Sequence, residues 1–341
     1  MHVLIVKLSS LGDVIHSLPA LTDAIGHYPG LSFDWVVEPA FAEIASWHQS
    51  VVKTIPCPLR RWRQNPYSCF KNGELRSFVR NLRQKPYDLI IDLQGLLKSA
   101  VITAIAKGPA AGYHAQSARE PLATLFYRKK AKVELEQHAI QRNRLLMSQL
   151  LNYPMPTDPP RYGLLQNFPR FESHLPYLVF LHATTWISKH WPESYWIRLG
   201  KIAARQGWLI KLPWGNILER ERALRIQQNL GEICEVLPKL SLKELAGVLQ
   251  GAKAVVAVDT GLAHLATALE VPTLALYGPT SPKRSGTWGE HQRSLSADFS
   301  CAPCFKRDCH YQGPVLEETP ACFTKLSPEQ VCQQLLQLIP A

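Results

Sequence analysis

The sequence lacks an apolar run long enough to cross a membrane. Its longest apolar region, residues 252–278, is interrupted by Asp259, His264, Glu270 and Pro272, whereas a membrane-spanning helix needs about 20 consecutive apolar residues. The first residues also lack the cationic start and the apolar stretch of a secretory signal. We therefore expect a cytoplasmic protein, in which thiols stay reduced and disulfides are rare.

Two common nucleotide-binding motifs are absent as well. No G-x-G-x-x-G follows the first apolar strand, and no G-x-x-x-x-G-K-[ST] occurs in the chain. Both motifs bind phosphates through glycine-rich loops, so their absence disfavours a dinucleotide-dependent dehydrogenase and a P-loop ATPase. Hydrophobic residues make up 46% of the 341 residues and charged residues 19%, which excludes a disordered chain.

The charge that is present is mostly basic, and it is unevenly distributed. With 38 Lys and Arg against 27 Asp and Glu, the formal net charge is +11. Residues 1–165 hold 20 basic and 12 acidic side chains, a balance of +8, and residues 166–341 hold 18 and 15, a balance of +3. The first half should therefore face an anionic partner: nucleic acid, an acidic sugar, a phosphorylated lipid or a membrane surface.

Short apolar runs alternate with segments of helical periodicity along most of the chain. Such alternation favours an α/β fold with doubly wound parallel sheets, and a proline-rich stretch at 152–170 indicates a linker between two domains. Ser327 is suited to cap a last helix, predicted over 328–338. The predicted boundaries are 1–160 for an N-terminal domain, 161–175 for the linker, 176–326 for a C-terminal domain and 327–341 for a C-terminal helix that could pack back toward the N-terminal domain.

A carboxylate stands in the loop after the first predicted strand. The segment KLSSLGD carries Asp13 to the start of the following helix, where a carboxylate could act as a general base toward a bound ligand. An acidic side chain at a helix N-terminus can also simply satisfy free amides and offset the helix dipole. The residues by themselves leave both interpretations open.

Two loops in the second half carry groups suited to phosphate. In VDTGLAH a strand ends at Asp259, and Gly261 opens a helix whose free amides could bind a phosphate; an ordinary capped helix is the alternative. In HATTWISKHWPE, Thr184 and Thr185 precede Lys189 at another strand end. An ammonium beside hydroxyls suits a diphosphate leaving group, although a solvated loop lysine would give the same pattern.

Several segments together resemble the heptosyltransferases of glycosyltransferase family nine. They are KLSSLGDVIHSLPAL, RRWR, DLQGLLKSA, AREPLATLFY, HATTWISKHWPE, KLPWG, VDTGLAH and YGPT, spread over residues 1 to about 282. RRWR and AREPLATLFY resemble the branch of the family that adds the first heptose of the lipopolysaccharide inner core. The resemblance implies an α/β GT-B fold, with two Rossmann-like doubly wound domains facing across a cleft.

The resemblance also implies a reaction. It is an inverting, metal-independent transfer of L-glycero-D-manno-heptose from ADP-heptose to the 5-hydroxyl of Kdo in Kdo2-lipid A. ADP-heptose is a substrate, and no cofactor is required. By the same resemblance Asp13 is the catalytic base, and Lys189, counted as catalytic too, neutralises the diphosphate.

Further binding residues follow from the matching motifs. The donor-binding residues implied are Thr184, Thr185, Lys189, Glu219, Asp259, Thr260, Gly261 and His264. The acceptor-binding residues implied are Lys7, Arg60, Arg61, Arg63, Lys98, Arg119, His138 and Arg142. Carboxylates and phosphates on the acceptor would account for the basic first half, because arginine forms bidentate pairs with both. For Glu219 a solvated helix charge is the alternative, and an isolated histidine such as His264 is more often a core residue than a ligand contact.

One segment departs from what the resemblance leads us to expect. Cys301, Cys304, Cys309 and Cys322 follow a C-x2-C-x4-C-x12-C spacing. Four thiols at such spacing could hold a structural zinc ion. Reduced thiols in a loop beside the donor, or disulfides formed on isolation, are the alternatives, and the sequence does not decide between them.

Two other functions stay open at this point. One is a family-nine transferase with another inner-core acceptor, and the other is a noncatalytic protein that binds nucleotides or anions. No nucleic-acid-binding module is recognisable, so nucleic acid is not an expected partner. We expect the protein on the inner face of the inner membrane as a peripheral protein, with Arg128, Lys129 and Lys130 near anionic headgroups.

Overall fold

The computed structural model describes residues 1–65, 67, 72–164, 168, 171, 173–314 and 318–339. The chain divides into two compact units, residues 1–165 and 166–341. Residues 165–167, 169, 170 and 172 of the predicted linker, and residues 340 and 341 of the predicted C-terminal segment, lie outside the described residues. None of the described helices is both long enough and apolar enough to cross a membrane.

The first unit is built around a parallel sheet of short strands. These are β1 (His2–Val6), β2 (Ser32–Val37), β3 (Val51–Pro56), β4 (Leu89–Asp92), β5 (Ala110–Tyr113) and β6 (Lys129–Ala131). Their order in the sheet is β3-β2-β1-β4-β5-β6. From β1 the chain moves outward to β3 and then returns to β4 on the other side of β1. The loops after β1 and β4 therefore meet at a topological switch point, where open α/β sheets bind ligands.

The central strands of this unit are buried on both faces of the sheet. Val3, Leu4, Ile5 and Val6 of β1 are all completely buried, as expected for an aliphatic run in a parallel sheet. The connecting helices are α1 (Leu11–Ile15), α2 (Leu18–His27), α3 (Ala42–Ser46), α4 (Leu59–Gln64), α5 (Glu74–Leu82), α6 (Leu97–Ile105) and α7 (Ala139–Leu151), with 3₁₀ turns at Pro39–Phe41 and Pro121–Phe126.

The second unit repeats this topology. Its strands are β7 (Tyr177–Leu181), β8 (Leu209–Leu212), β9 (Cys234–Val236), β10 (Ala254–Val258), β11 (Thr273–Tyr277) and β12 (Gln292–Ser296). They lie in the order β12-β11-β10-β7-β8-β9. Here the switch point lies between β7 and β10, which pair in parallel. Polar residues in the loops after these two strands are thus placed side by side.

The helices of the second unit are α8 (Glu193–Ala204), α9 (Ile217–Leu230), α10 (Leu242–Gly251), α11 (Gly261–Ala268), α12 (Pro282–Ser285) and α13 (Pro328–Leu338), with 3₁₀ turns at Ile187–Lys189, Gly231–Ile233 and Ala321–Lys325. The last helix begins as predicted, because the Gln330 amide donates to the Ser327 hydroxyl at 3.2 Å. α13 contacts α8, β11 and β12, and its buried Val331 and Leu335 belong to the core of the second unit.

Candidate active site

In the first unit, the loops after β1 and β4 are tied together by hydrogen bonds. The Lys7 ammonium, almost fully buried, donates to the Leu93 carbonyl at 3.0 Å. The Gln94 amide group accepts from the Leu8 N–H at 2.8 Å and donates to the Ser9 carbonyl at 3.2 Å. These contacts hold the two loops in one arrangement, which is the rigidity that a binding site requires.

Asp13 lies in this arrangement with its two oxygens in different surroundings. Oδ2 accepts from the backbone N–H and from the hydroxyl of Ser10, both at 2.9 Å. Oδ1 lies 3.9 Å from the Lys7 ammonium and 3.9 Å from the Arg119 guanidinium. The two interpretations left open by the sequence are therefore compatible, since one oxygen caps α1 and the other faces two cations.

The charge state of Asp13 follows from these contacts. Burial pushes the pKa of its carboxyl group upward, but the Lys7 ammonium, the Ser10 hydrogen bonds and Arg119 outweigh burial and leave the pKa below its usual value. The side chain is therefore ionised at neutral pH and able to accept a proton. Burial in turn lowers the pKa of the Lys7 ammonium, although Asp13 opposes the shift.

A small pocket opens beside this carboxylate. Its lining includes Lys7, Asp13, Tyr113, Arg119 and Arg142. The Arg142 guanidinium donates to the Ser117 carbonyl at 2.6 Å and lies over the Tyr113 ring, 5.1 Å from its centre. Three cations and one carboxylate thus line the pocket, which leaves it with an excess of positive charge for an anionic ligand.

His138 lies at the edge of this region. It precedes α7, and its Nδ1 accepts from the Ile140 N–H at 3.2 Å. Its ring centre is 5.7 Å from that of His16. The structure therefore gives His138 a capping role at α7; its proposed contact with the acceptor stays a prediction.

The remaining cations predicted for the acceptor lie after other strands. Arg60, Arg61 and Arg63 are on α4, which follows β3, and Trp62 between them is buried. The Arg61 guanidinium is paired with the Glu74 carboxylate at 2.5 Å, so its positive charge is partly neutralised within the unit. The Arg60 guanidinium lies 6.0 Å from the centre of the Phe41 ring. Arg63 is exposed to solvent.

Lys98 also belongs to this second group of cations. It is partly buried on α6, near enough to Cys57 for its charge to act on that thiol. Cys57 directly follows β3. The structure therefore separates the predicted acceptor cations into a cluster around Asp13 and a cluster at the ends of β2 and β3.

In the second unit, three loops converge on Asp259. Its Oδ2 accepts from the Lys189 ammonium at 2.7 Å and from the Thr280 hydroxyl at 2.7 Å. Lys189 ends the 3₁₀ turn after β7, and Thr280 follows β11. The Lys189 ammonium also lies 4.5 Å from the centre of the Trp186 ring. Lys189 and Asp259 are both mostly buried, so each charge is stabilised by the opposite charge of its partner.

The N-terminus of α11 adjoins this pair. Thr260 is its N-cap residue and Gly261 its first residue, and both are partly buried. With eight residues, α11 presents free amides and the positive end of its dipole beside Asp259. His264 lies one turn further along α11 and is buried. The arrangement offers an ammonium and helix amides together, which suits a diphosphate.

The other predicted donor residues have contacts of their own. The Thr184 carbonyl is 2.8 Å from His190 Nε2, and Thr185 is exposed in the same loop. Glu219 is held at the start of α9, where one carboxylate oxygen accepts from the Gly215 N–H at 2.7 Å and the other from the Asn216 side chain at 2.8 Å. Glu219 is therefore a helix cap in the structure rather than a freely solvated charge.

The cysteine segment packs against the Lys189 turn. The Ser188 N–H donates to the Arg307 carbonyl at 3.1 Å, and the Phe305 N–H donates to the Pro279 carbonyl at 2.8 Å. Burial raises the pKa of the Cys322 thiol to about 12, with neighbouring Cys301, Cys309 and Cys304 adding to the shift. Cys301, Cys304 and Cys309 are thus each near Cys322. Within the described ranges, no three Cys, His, Asp or Glu side chains are placed to hold a metal ion.

Sequence reasoning assigned no role to Asp92, the last residue of β4. It is completely buried, and it accepts from the Tyr127 hydroxyl at 2.6 Å and from the N–H groups of Gln94 and Gly95 at 2.7 and 3.1 Å. Gly95 has φ = +66°, a conformation that glycine adopts without strain. Asp92 therefore shapes the loop that holds Lys7. The D-x-x-G pattern at a strand end could have indicated this role, because it resembles the D-T-G that follows β10.

Two doubly wound units of one topology, each with charged side chains at its switch point, are the architecture of glycosyltransferases with a GT-B fold. A family model described as glycosyltransferase family 9 (heptosyltransferase) matches residues 75–314. The chain belongs to this family. The α/β GT-B fold class and the enzyme class expected from the sequence are confirmed.

Individual relatives agree with this assignment. Lipopolysaccharide heptosyltransferase 1 of Pseudomonas aeruginosa is 52% identical over 346 residues, covering 98% of this chain and 97% of the relative. The structure of the E. coli heptosyltransferase WaaC with ADP has a TM-score of 0.89 and 43% identity, covering 99% of this chain and 100% of that one. The same enzyme with ADP-2-deoxy-2-fluoro heptose gives a TM-score of 0.85 at 43% identity, with 99% of each chain covered.

Proposed function

We propose that this glycosyltransferase moves L-glycero-D-manno-heptose from ADP-heptose to the 5-hydroxyl of Kdo in Kdo2-lipid A, with inversion at the anomeric carbon. The observation that carries the proposal is the geometry of Asp13, whose Oδ1 faces a cationic pocket while Oδ2 fixes the side chain to α1. The ADP and ADP-heptose analogue bound by the WaaC structures support the donor. The name of the Pseudomonas relative supports the process.

Donor binding is assigned to the switch point of the second unit. Lys189 is paired with Asp259. A diphosphate carries more negative charge than one carboxylate, so we expect the ammonium to turn toward it together with the amides at the start of α11. Asp259, still bonded to Thr280, is then free to accept from hydroxyls of the heptose. The Lys–Asp pair thus holds both groups in place before the donor arrives.

Acceptor binding is assigned to the pocket around Asp13. The carboxylate of Kdo would pair with Arg119, Arg142 and Lys7, the cations that line the pocket together with Asp13. Once these cations are shared with the substrate, less positive charge acts on Asp13, and its pKa rises toward the ordinary range. A carboxylate with a higher pKa is the stronger base. Binding of the correct acceptor therefore activates the base.

The chemical step is a single displacement. Asp13 Oδ1 takes the proton of the Kdo hydroxyl as that oxygen forms a bond to the anomeric carbon of heptose. The bond from this carbon to the diphosphate oxygen breaks, and ADP leaves with its new charge neutralised by Lys189 and the α11 amides. Every group needed is a side chain or a backbone amide, so we propose that neither a cofactor nor a metal ion is required. Enzyme treated with a chelator should retain its rate.

The test is a transfer assay with ADP-heptose and two acceptors. Kdo2-lipid A should be heptosylated, whereas its mono-heptosylated product should not be. Transfer to the mono-heptosylated product alone would assign the protein to another inner-core step. Binding of ADP-heptose without transfer to either acceptor would favour the noncatalytic alternative.

We further propose that the protein works at the cytoplasmic face of the inner membrane, where a lipid-linked acceptor would be reached.

A further inference from the structure

Two neighbouring elements of the first unit expose an apolar surface. Leu122 and Leu125 of the 3₁₀ turn Pro121–Phe126 are 62% and 77% exposed. Residues three apart in a 3₁₀ turn lie one above the other, so these two leucines project in the same direction. Phe126 at the end of the turn is exposed as well.

The surface continues onto α6. This helix contacts the 3₁₀ turn, and Ala100, Ala123 and Tyr127 form a buried cluster between them. Leu97 and Val101, one helical turn apart on α6, are both exposed. The small residues of the turn face inward and the large ones face outward, which is the reverse of what core packing would favour.

Basic side chains adjoin the 3₁₀ turn in the chain. Arg119 precedes the turn and is exposed. Arg128 and Lys130 follow the turn and are exposed, whereas the Lys129 ammonium is turned away toward the Leu150 carbonyl at 2.7 Å. The acidic neighbour is Glu120, and its carboxylate accepts from the Leu97 N–H at 2.7 Å, so part of its charge is used to cap α6.

We propose that the exposed side chains of Leu97, Val101, Leu122, Leu125 and Phe126 form a docking surface for a lipid bilayer with anionic headgroups. Aliphatic side chains framed by lysine and arginine are typical of segments that insert into a membrane interface. A protein interface of similar size favours aromatic residues and is depleted in lysine. The surface adds to the three consecutive cations noted in the sequence an apolar component that can enter the bilayer.

The position of this docking surface fits the proposed function, on which its biological meaning rests. Arg119 lies between the two sites: its guanidinium is 3.9 Å from Asp13 Oδ1, and Pro121 begins the exposed turn two residues later. A bilayer bound at the docking surface would therefore border the pocket assigned to the acceptor sugar. A lipid-linked acceptor could reach Asp13 without leaving the membrane.

The test is vesicle flotation of the full chain, comparing phosphatidylcholine vesicles with and without phosphatidylglycerol. The wild type should bind the anionic vesicles, and the double variant Leu122→Ser/Leu125→Ser should bind about tenfold more weakly or worse. Leu218→Ser is the matched control, because Leu218 on α9 is 72% exposed and should not matter. Arg128→Gln/Lys130→Gln should weaken binding by roughly fivefold per charge. Wild-type binding by the double leucine variant would overturn the proposal.

A second copy of the chain is the competing occupant. Sedimentation velocity decides this: a wild-type dimer that the leucine variant converts to a monomer, with vesicle binding unchanged, would also overturn the proposal. Because both leucines are exposed, the variant should fold normally, which circular dichroism checks.

Transfer assays separate this proposal from the proposed function. The leucine variant should retain transfer to a deacylated, water-soluble Kdo acceptor and lose transfer to the same sugar in vesicles. If the wild type transfers to neither acceptor, the proposed function fails, and the flotation result still decides whether the docking surface exists.

Discussion

The two units place a carboxylate at the same topological position and use it differently. Asp92 ends β4 and Asp259 follows β10, and each of these strands pairs with the first strand of its unit. Asp92 is completely buried among a tyrosine hydroxyl and two backbone amides. Asp259 is partly accessible and bonded to Lys189 and Thr280. Asp92 shapes its loop, whereas Asp259 is the carboxylate proposed to contact the donor.

The difference between the switch points extends to the groups around them. In the first unit the carboxylate proposed as the base is Asp13, with two cations at 3.9 Å, a distance too long for direct hydrogen bonds. In the second unit the ammonium and carboxylate are in contact at 2.7 Å. We propose that the loosely surrounded carboxylate takes a proton, whereas the tight pair keeps an ammonium in place for a phosphate. One scaffold therefore supports two chemistries through its loops.

The largest expected effect is on the first unit. Asp13→Ala should lower kcat by about 100- to 10,000-fold, because a general base contributes that much to a proton transfer. Binding of ADP-heptose, followed by calorimetry, should stay near the wild-type value. Ser10→Ala is the matched control, since it removes one hydrogen bond to Oδ2 and none to Oδ1. Normal turnover by Asp13→Ala would show that the base is elsewhere.

The corresponding change in the second unit should act on binding. Lys189→Ala should weaken ADP binding by about 10- to 100-fold, because a hydrogen bond to a charged group contributes about 1.5–3 kcal/mol. Calorimetry with ADP measures this directly. Lys211→Ala is a useful control, because Lys211 is also buried and ion-paired, to Glu235, but lies within β8. Equal losses in both variants would point to a general structural effect instead.

Asparagine substitutions at the two strand-end carboxylates test the comparison itself. Asp92→Asn should lower the free energy of unfolding by about 1–3 kcal/mol, because a buried hydrogen-bond network loses an acceptor. Asp259→Asn should leave stability nearly unchanged and reduce donor affinity and turnover. Chemical denaturation and ADP-heptose binding provide the two measurements. If Asp259→Asn, like Asp92→Asn, lowers stability without reducing donor affinity or turnover, Asp259 has no ligand role.

The pH dependence should reveal the cations around Asp13. Only the ionised carboxylate accepts a proton, and its pKa is lowered in the folded protein. The value of kcat/KM, which reports the free enzyme, should therefore stay high as the pH falls through the usual aspartate range and decline only below it. Lys7→Met removes the cation that lowers this pKa most, so the acidic limb of kcat/KM should move to higher pH. An acidic limb that stays in place would exclude control by Lys7.

The smallest effect is expected at the start of α9. Asn216→Ala should cost about 1 kcal/mol of stability, as expected for loss of a helix cap, with ADP affinity unchanged. Glu219→Ala should cost a similar amount, and ADP affinity should fall only if the side chain also holds the ribose. Thermal unfolding and calorimetry distinguish a cap from a ligand contact.

The strands that could be predicted are those with long aliphatic runs. β1, β7 and β10 are completely or nearly completely buried, so their residues had to be apolar. The edge strands β3, β6, β9 and β12 were not predicted, because they are of mixed burial and tolerate polar side chains. Their pairing depends on a neighbour that is distant in the sequence.

The candidate site was predictable where loops follow strong strands. Asp13, Lys189 and Asp259 each stand just after an aliphatic run, and parallel sheets gather such loops at one edge. The pairing of Lys189 with Asp259, the second contact of Asp259 with Thr280 and the burial of Asp92 under Tyr127 could not be predicted. Each joins segments separated by at least 21 residues, so no local pattern encodes it.

The sequence by itself determined the alternation of strands and helices, the excess of positive charge in the first half and the polar residues at the strand ends. These properties depend on composition and on spacing within one element. The tertiary structure alone decided which oxygen of Asp13 caps a helix and which faces cations, and which leucines remain outside the core. Both outcomes depend on which distant segments come to lie within a few ångströms, because hydrogen bonds and burial are properties of neighbours in space.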